Sequence, residues 1–179
     1  MSIKLLILDI ETSPNIGVFW KCGLNQNISP EQVVKERQII SIAYKYYGEP
    51  KSNTKVIHWG LNTQNDVSAL TVIQKVISQA GAVLGQNSDK FDLKWINGRL
   101  AYHGLLAIPD STILMTLDTL KLAKGSLGLN SYKLNYMLKF FGLPAKIEMH
   151  FSDWLKVMVN KDKKAFTKML RYNKNDVVV

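Results

Sequence analysis

Apolar and polar positions follow two different periods along this chain, and the first part carries the shorter one. Leu5-Leu6-Ile7-Leu8 is a continuous apolar run, which is typical of a strand covered by helices on both faces. Residues 38–47 and 55–59 are rich in β-branched and aromatic side chains, which predicts two more strands and an antiparallel meander. Between the first two strands, residues 13–36 are expected to be irregular, apart from a short helix after Ser29-Pro30.

The rest of the chain shows mainly helical spacing. Residues 66–79 carry apolar side chains every three or four positions, which predicts an amphipathic helix capped by Asn65 or Asp66. Ala82-Val83-Leu84-Gly85 predicts a further strand. More helices are expected over about 90–103, 131–141 and 163–179, and Asp118 is a candidate cap for another short helix. Strands followed by alternating helices and strands favour an α/β sandwich with helices on both faces of the sheet.

The composition fits one globular domain over residues 1–179. A hydrophobic content of 46% in 179 residues is enough for a substantial core. Lys and Arg number 23 against 14 Asp and Glu, so the net charge is +9 and favours a polyanionic partner. Nucleic acid is the first candidate for that partner, and a basic protein without one is the alternative.

Other classes find little support in the sequence. A single cysteine, Cys22, excludes an intramolecular disulfide and fits a reducing compartment. The three histidines show no metal-ligand spacing, which argues against a structural zinc site. No apolar run approaches the ~20 residues that span a bilayer, so we expect no membrane partner and a cytoplasmic location.

Two carboxylates end the first strand. Because side chains alternate along a strand, Asp9 and Glu11 share one face. At ~4 Å and an effective dielectric of about 20, two such charges repel by roughly 4 kcal/mol, so keeping both ionised requires a compensating cation. The alternative interpretation is a pair of solvated acids at the start of a loop.

Two later segments carry similar chemistry. Asp92 falls in the first turn of a predicted helix, where an acid is favourable in any protein. Tyr172 and Asp176 are four positions apart on the last predicted helix and therefore lie on one face. Taken alone, these two are better interpreted as a half-buried aromatic residue and a solvated acid.

Together and in this order, the three segments resemble the DEDD superfamily of 3′ to 5′ exonucleases, which have a ribonuclease H-like fold. That fold implies a mixed β-sheet with helices on both faces, in which the first three strands are antiparallel and the later ones parallel. The positions that match the family's three motifs are Asp9 and Glu11, then Asn87, Phe91 and Asp92, and finally Tyr172 and Asp176. The tyrosine indicates the DEDDy branch. The resemblance spans essentially the whole chain and is nearest to the proofreading exonuclease domains of family A and B DNA polymerases.

The resemblance implies a two-metal-ion exonuclease that removes nucleoside 5′-monophosphates from the 3′ end of single-stranded or frayed DNA. Its metal ligands would be Asp9, Glu11, Asp92 and Asp176. Ligands that are all oxygen atoms favour Mg²⁺ or Mn²⁺ over zinc. Asp9 would bridge both ions, Glu11 and Asp176 would complete one site, and Asp92 would act mainly at the other. Tyr172 would orient the attacking water, because a phenol with a pKa near 10 is a poor base.

Substrate contacts are expected around the same motifs. The expected nucleic-acid-binding residues are Thr12, Asn87, Lys90, Phe91 and Arg171, with Lys94, Arg99 and Lys168 as further candidates for phosphate contacts. Solvated helix faces explain these basic residues equally well. The four tryptophans, Trp20, Trp59, Trp95 and Trp154, either stack on bases or pack in the core, and core packing is expected for at least two.

Several alternatives stay open at this point. They are an exoribonuclease or oligoribonuclease of the same family, an endonuclease of the same general fold, and a non-catalytic module that binds single strands. A polymerase or replication protein is a candidate partner. The sequence continues only three residues past Asp176, which would suit a compact viral protein in the host cytoplasm or the exonuclease portion of a polymerase-like chain. We expect stability or activity to be sensitive to a C-terminal extension.

Overall fold

The computed structural model of the protein describes residues 3–21, 23, 27–109 and 113–178, so the predicted free thiol of Cys22 lies outside the described residues. The strands are β1 (Leu5–Thr12), β2 (Ile16–Gly17), β3 (Val33–Lys35), β4 (Ile39–Tyr46), β5 (Lys55–His58), β6 (Ala82–Gly85) and β7 (Met115–Asp118). Five of them form one sheet in the order β5-β4-β1-β6-β7. β5, β4 and β1 are antiparallel, whereas β1, β6 and β7 are parallel. The predicted mixed sheet is confirmed.

Helices cover both faces of this sheet, as predicted. They are α1 (Val67–Ser78), α2 (Asp92–Tyr102), α3 (Thr119–Ser126), α4 (Leu134–Phe140), α5 (Phe151–Met158) and α6 (Lys163–Val178). On one face, Leu6, Leu8 and Ile10 of β1 pack in a buried cluster with α1 and α2. On the other face, Ile40 and Trp59 pack against α5 and α6. None of the helices in the described part of the chain is long and apolar enough to cross a membrane.

Two features differ from the expectations. Residues 13–36 contain the two-stranded ribbon β2–β3 as well as the expected short helix, which is a 3₁₀ turn at Pro30–Gln32. α5 was not predicted, although its buried residues Asp153, Val157 and Met158 follow helical spacing. Its start is fixed locally, since the His150 N–H donates to the Asp153 carboxylate at 3.2 Å.

β1 and β6 separate halfway along β1, and this opens the sheet at its carboxyl edge. Their pairing extends only from Leu5 to Ile7. Gly85 allows the chain to turn away at once, because a Cβ there would lie 2.7 Å from the Ser88 Cβ and 3.0 Å from the Leu8 carbonyl oxygen. The opening lies between β1 and its parallel neighbour β6, at the carboxyl ends of the two strands, which is a common place for a ligand in open α/β sheets.

Candidate active site

Three of the four predicted metal ligands converge at the carboxyl end of β1. Asp9 and Glu11 extend from β1, and Asp176 extends from the last turn of α6. One carboxylate oxygen from each residue lies within 4.8 Å of the other two. Like charges at this spacing repel strongly unless protons or cations neutralise them.

Asn173 fixes α6 against β1 at this point. Its side chain is fully buried, and its Nδ2 donates to the Asp9 carbonyl oxygen at 3.1 Å and to the Asp9 Oδ2 at 2.7 Å. Its Oδ1 accepts from the Ser41 hydroxyl of β4 at 2.9 Å. Because Asn173 precedes Asp176 by less than one helical turn, these bonds set how closely the Asp176 carboxylate approaches Asp9.

Asp92 reaches the site from the opposite face of the sheet. It is the first residue of α2 and is 3% exposed. Its Oδ1 accepts from the backbone N–H of Ile10, the residue between Asp9 and Glu11, at 2.9 Å. This N–H is available because β6 has already left β1. Asp92 therefore lies beside the three-carboxylate cluster rather than within it, and its charge acts on Asp9.

Burial raises the pKa values of all four carboxyls, and repulsion within the group adds to the effect at Asp9 and Glu11. Burial raises the pKa of Glu11 to about 8, with the charge of Asp176 adding to the effect. Burial likewise raises the pKa of Asp92 to about 7. The pKa of Asp9 rises well above its ordinary value through burial and then the charge of Asp92, and burial raises the pKa of Asp176. Full ionisation of the group at neutral pH therefore requires added positive charge.

Lys146 contacts this group, and the sequence interpretation did not include it. Its Nζ lies 2.5 Å from the Asp176 Oδ2 and donates to the Tyr172 hydroxyl at 3.2 Å. Burial lowers the pKa of Lys146, but the hydrogen bond and charge of Asp176 outweigh this and leave it above its ordinary value. Lys146 lies in an extended segment without periodicity, so no sequence signal singled it out.

Tyr172 lies between this lysine and an indole ring. The Trp154 ring meets it edge-on at 6.3 Å, and the Trp154 Nε1 donates to the Thr12 carbonyl oxygen at 3.2 Å. Burial, followed by the charge of Asp176, raises the pKa of the Tyr172 phenol. The hydroxyl is therefore protonated at neutral pH, as the predicted water-orienting role requires.

Asp118 organises the loop that leads into α2. It is 5% exposed and caps α3 as predicted, accepting from the Leu120 N–H at 2.9 Å. It also accepts from the N–H groups of Asn87 at 2.9 Å and Asp89 at 3.3 Å. Asn87 has a left-handed backbone with a φ of 62°. The second role of Asp118 depends on a contact across 31 positions, which a local capping pattern does not reveal.

The predicted substrate contacts fall into two groups. Thr12 ends β1 and half-buried Phe91 immediately precedes α2, so both lie beside the carboxylates. Lys90 and Arg171 are exposed on either side of the site. Lys94 is also exposed, whereas the Lys168 Nζ lies 2.7 Å from the Asp153 carboxylate.

Arg99 is not available for a phosphate contact. It is 5% exposed, and its Nε and Nη2 donate to the two oxygens of Asp66 at 2.8 and 2.9 Å. The expectation failed because Arg99 lies on the buried side of α2 with Ile96 and Leu100.

The four tryptophans have different environments. Trp59 is fully buried in the core, whereas Trp20 is fully exposed. Trp95 and Trp154 are half-buried and pack against the two apolar clusters. Core packing is therefore confirmed for Trp59 and is partial for Trp95 and Trp154.

Comparisons with known proteins support the fold and not the sequence-level family. No protein-family model and no curated protein matches the sequence. The structure is similar to the family B DNA polymerase from the hyperthermophilic archaeon Pyrobaculum calidifontis, with a TM-score of 0.72 and 14% identity over 99% of this chain. The chain spans 23% of the length of that polymerase chain. This likeness supports an α/β fold consistent with the ribonuclease H-like class, as the sequence predicted.

Proposed function

We propose that this chain is a metal-dependent 3′ to 5′ exonuclease that acts on single-stranded or frayed DNA and releases nucleoside 5′-monophosphates. The observation that carries the proposal is the convergence of Asp9, Glu11 and Asp176 within 4.8 Å, with Asp92 beside them. Within the described residues, this group forms one ion pair, between Asp176 and Lys146. Such a group is unfavourable as a purely structural element, because its repulsion and burial both oppose ionisation.

The residues fit two divalent cations. Their donors are all carboxylate oxygens, which suit Mg²⁺ or Mn²⁺. The Asp176 Oδ1 is buried and has no hydrogen-bond partner among the described residues, so it is available as a ligand atom. Asp9, Glu11 and Asp176 would hold one ion, and Asp9 and Asp92 the other. When bound, the ions would neutralise the carboxylates, clamp the reacting phosphate oxygens and lower the pKa of the attacking water.

The surrounding side chains would position the reactants. Asn173 holds Asp9 in place through two hydrogen bonds. Tyr172 would orient the attacking water with its hydroxyl, and Thr12 and Phe91 would contact the terminal nucleotide. The net charge of +9 favours a polyanionic substrate. The polymerase neighbour makes DNA the preferred substrate class in this proposal.

A nuclease assay tests the proposal. The substrates are 5′-labelled single-stranded DNA, matched RNA and a circular DNA strand, each with Mg²⁺, Mn²⁺ or EDTA. We expect the linear DNA to shorten stepwise from its 3′ end only with metal, and the circle to stay intact. Faster shortening of RNA would identify an exoribonuclease instead, and cleavage of the circle would identify an endonuclease.

A matched pair of variants controls the assay. Glu11→Gln should abolish shortening, whereas Glu36→Gln should leave it unchanged, because Glu36 is exposed and forms no ion pair with the described residues. Equal activity of Glu11→Gln and the unchanged protein would contradict the proposed role of the cluster. Absence of shortening with both metals would contradict the exonuclease assignment as a whole.

A further inference from the structure

A cationic side chain at the start of β4 has no carboxylate partner in the part of the chain that the structure describes. Arg37 is half-buried just before β4, and its guanidinium carbon lies 5.0 Å from the centre of the Trp95 ring. No acidic side chain in the described ranges lies within 4.0 Å of it. Its Nε has no hydrogen-bond acceptor among those residues. Arg99, the other arginine near α1 and α2, has both a bidentate carboxylate and a ring contact with Tyr102.

Backbone hydrogen bonds hold Arg37 at a fixed place relative to the carboxylates. Its N–H donates to the Asn15 Oδ1 at 2.7 Å. The next residue, Gln38, exchanges two bonds with Ser13, since the Ser13 N–H donates to the Gln38 carbonyl at 2.8 Å and the Ser13 hydroxyl accepts from the Gln38 N–H at 2.9 Å. Ser13 comes two positions after Glu11, so these three bonds tie the start of β4 to the end of the strand that carries the acids.

Aromatic contacts link Arg37 to the start of α2. The Trp95 ring, against which the guanidinium packs, lies 6.4 Å from the Phe91 ring at an angle of 57°. Phe91 directly precedes Asp92 in the chain. Contacts therefore connect the Arg37 guanidinium to the acidic group. They pass through the rings of Trp95 and Phe91 to Asp92.

We propose that Arg37 binds a backbone phosphate of the single strand whose 3′ end enters the acidic site, with Trp95 holding the guanidinium in position. This inference rests on the proposed function. Arg37 is half-buried and its Nε is enclosed, so the contact would come from the two terminal Nη groups, which match two oxygens of a phosphate. The aromatic face beneath the guanidinium keeps these donors oriented.

The test is a binding measurement that does not depend on hydrolysis. The probe is a fluorescent oligothymidylate with hydrolysis-resistant phosphorothioate linkages, titrated in Mg²⁺ at several salt concentrations. We expect Arg37→Gln to weaken binding about tenfold at low salt and to reduce the slope of log Kd against log salt by about 0.7, the loss of one phosphate contact. Arg37→Lys should retain the slope while binding more weakly than Arg37, because a point charge replaces the fork.

Lys75→Gln is the matched charge control. Lys75 is exposed near the end of α1, which leads to the opposite edge of the sheet, and this variant should bind like the unchanged protein. If Arg37 only braces Trp95, Arg37→Gln will lower the melting temperature and leave the salt slope unchanged, which would overturn the inference. A slope change equal to that of Lys75→Gln would overturn it as well.

The nuclease assay separates this inference from the proposed function. Shortening of DNA together with an unchanged slope in Arg37→Gln would leave the exonuclease in place and remove Arg37 from the binding site. A reduced slope in a protein that shortens no strand would support the phosphate contact and contradict the exonuclease. Absence of any binding by the unchanged protein would overturn the inference.

Discussion

The buried acid Asp66 and the four acids around the end of β1 lie at the same edge of the sheet, but the protein provides them with very different partners. Asp66 is fully buried, yet each of its oxygens has partners: Arg99 on both, the Ile39 N–H at 3.0 Å and His103 at 2.8 Å. These bonds outweigh the effect of burial, so the pKa of Asp66 falls below its ordinary value. The protein thus supplies both carboxylate oxygens of Asp66 with hydrogen-bond and ion-pair partners.

The carboxylates at the end of β1 differ from Asp66 in their ion-pair partners and in the direction of their pKa shifts. Asp176 pairs with Lys146, the other three carboxylates form no ion pair with the residues that the structure describes, and burial raises the pKa of all four. The difference between the two regions is therefore partner charge rather than depth. Asp66 is neutralised by partners from the protein itself, whereas the excess of acids at the end of β1 is the basis for the cations that we propose there.

The largest expected effect comes from neutralising the centre of the acidic group. Asp9→Asn should lower the exonuclease rate by about 10⁴-fold or more, because a ligand proposed for both ions is lost. The same variant should melt at a higher temperature than the unchanged protein in EDTA at pH 8, since one repelling charge has gone while an oxygen still accepts from Asn173. Lower stability of Asp9→Asn under these conditions would show that repulsion does not dominate at this site.

The second effect is on stability and concerns Asp66 and its partner Arg99. Arg99→Met should lower the free energy of unfolding by about 3–5 kcal/mol, because the buried Asp66 charge loses its bidentate partner. Arg171→Met, on the exposed side of α6, is the control and should change it by less than about 0.5 kcal/mol. Chemical denaturation measures both. Similar decreases in the free energy of unfolding of the two variants would contradict the proposed importance of Arg99 for the buried Asp66.

The two regions should also give opposite pH dependence. Burial raises the pKa of Glu11 from 4.5 to about 8 and that of Asp92 from 3.8 to about 7, so the folded protein binds more protons than the unfolded chain between these values. The free energy of unfolding in EDTA should therefore fall by several kcal/mol as pH rises from about 5 to 8.

Asp66 acts in the reverse direction at lower pH. Its pKa is lowered by Arg99 and the other donors, so its contribution is present above the unfolded value and is lost as pH falls through the folded value. Denaturation at a series of pH values measures both slopes. A flat profile from pH 5 to 8 in EDTA, or the same profile in Glu11→Gln, would contradict the predicted repulsion.

The smallest expected effect comes from replacing Lys146, the lysine that pairs with Asp176. Lys146→Met should lower the metal-free stability at pH 8 by about 1–2 kcal/mol, because Asp176 loses its ion-pair partner. Lys139→Met, exposed on α4, is the matched control. The difference should narrow with Mn²⁺, which would take over the neutralisation of Asp176. A difference that is unchanged by Mn²⁺ would indicate that the ion does not bind beside Asp176.

Local sequence pattern was sufficient for most strands of the main sheet and for the faces on which the principal acids lie, whereas the family resemblance grouped these acids into one site. The apolar run of β1 predicted a doubly covered strand, and alternation placed Asp9 and Glu11 on one face. The i, i+4 spacing placed Tyr172 and Asp176 together on α6. These conclusions depend on periodicity alone, which is a property of short segments.

Contacts between distant segments could not be predicted in this way. The approach of Asp92 to the Ile10 N–H depends on where β6 leaves β1, and the positions of Lys146 and Arg37 depend on loop paths. Asn173 did carry a signal, because it continues the buried stripe of Phe166, Met169 and Val177 on α6 as its one polar member.

The most direct test of the central claim is to locate Mn²⁺ by its anomalous scattering in crystals of the protein. We expect two peaks, one among Asp9, Glu11 and Asp176 and one beside Asp9 and Asp92. We expect no peak at Asp66. Crystals of Asp9→Asn should lose both peaks. Well-diffracting crystals in saturating Mn²⁺ that show no peak at these carboxylates would contradict the account.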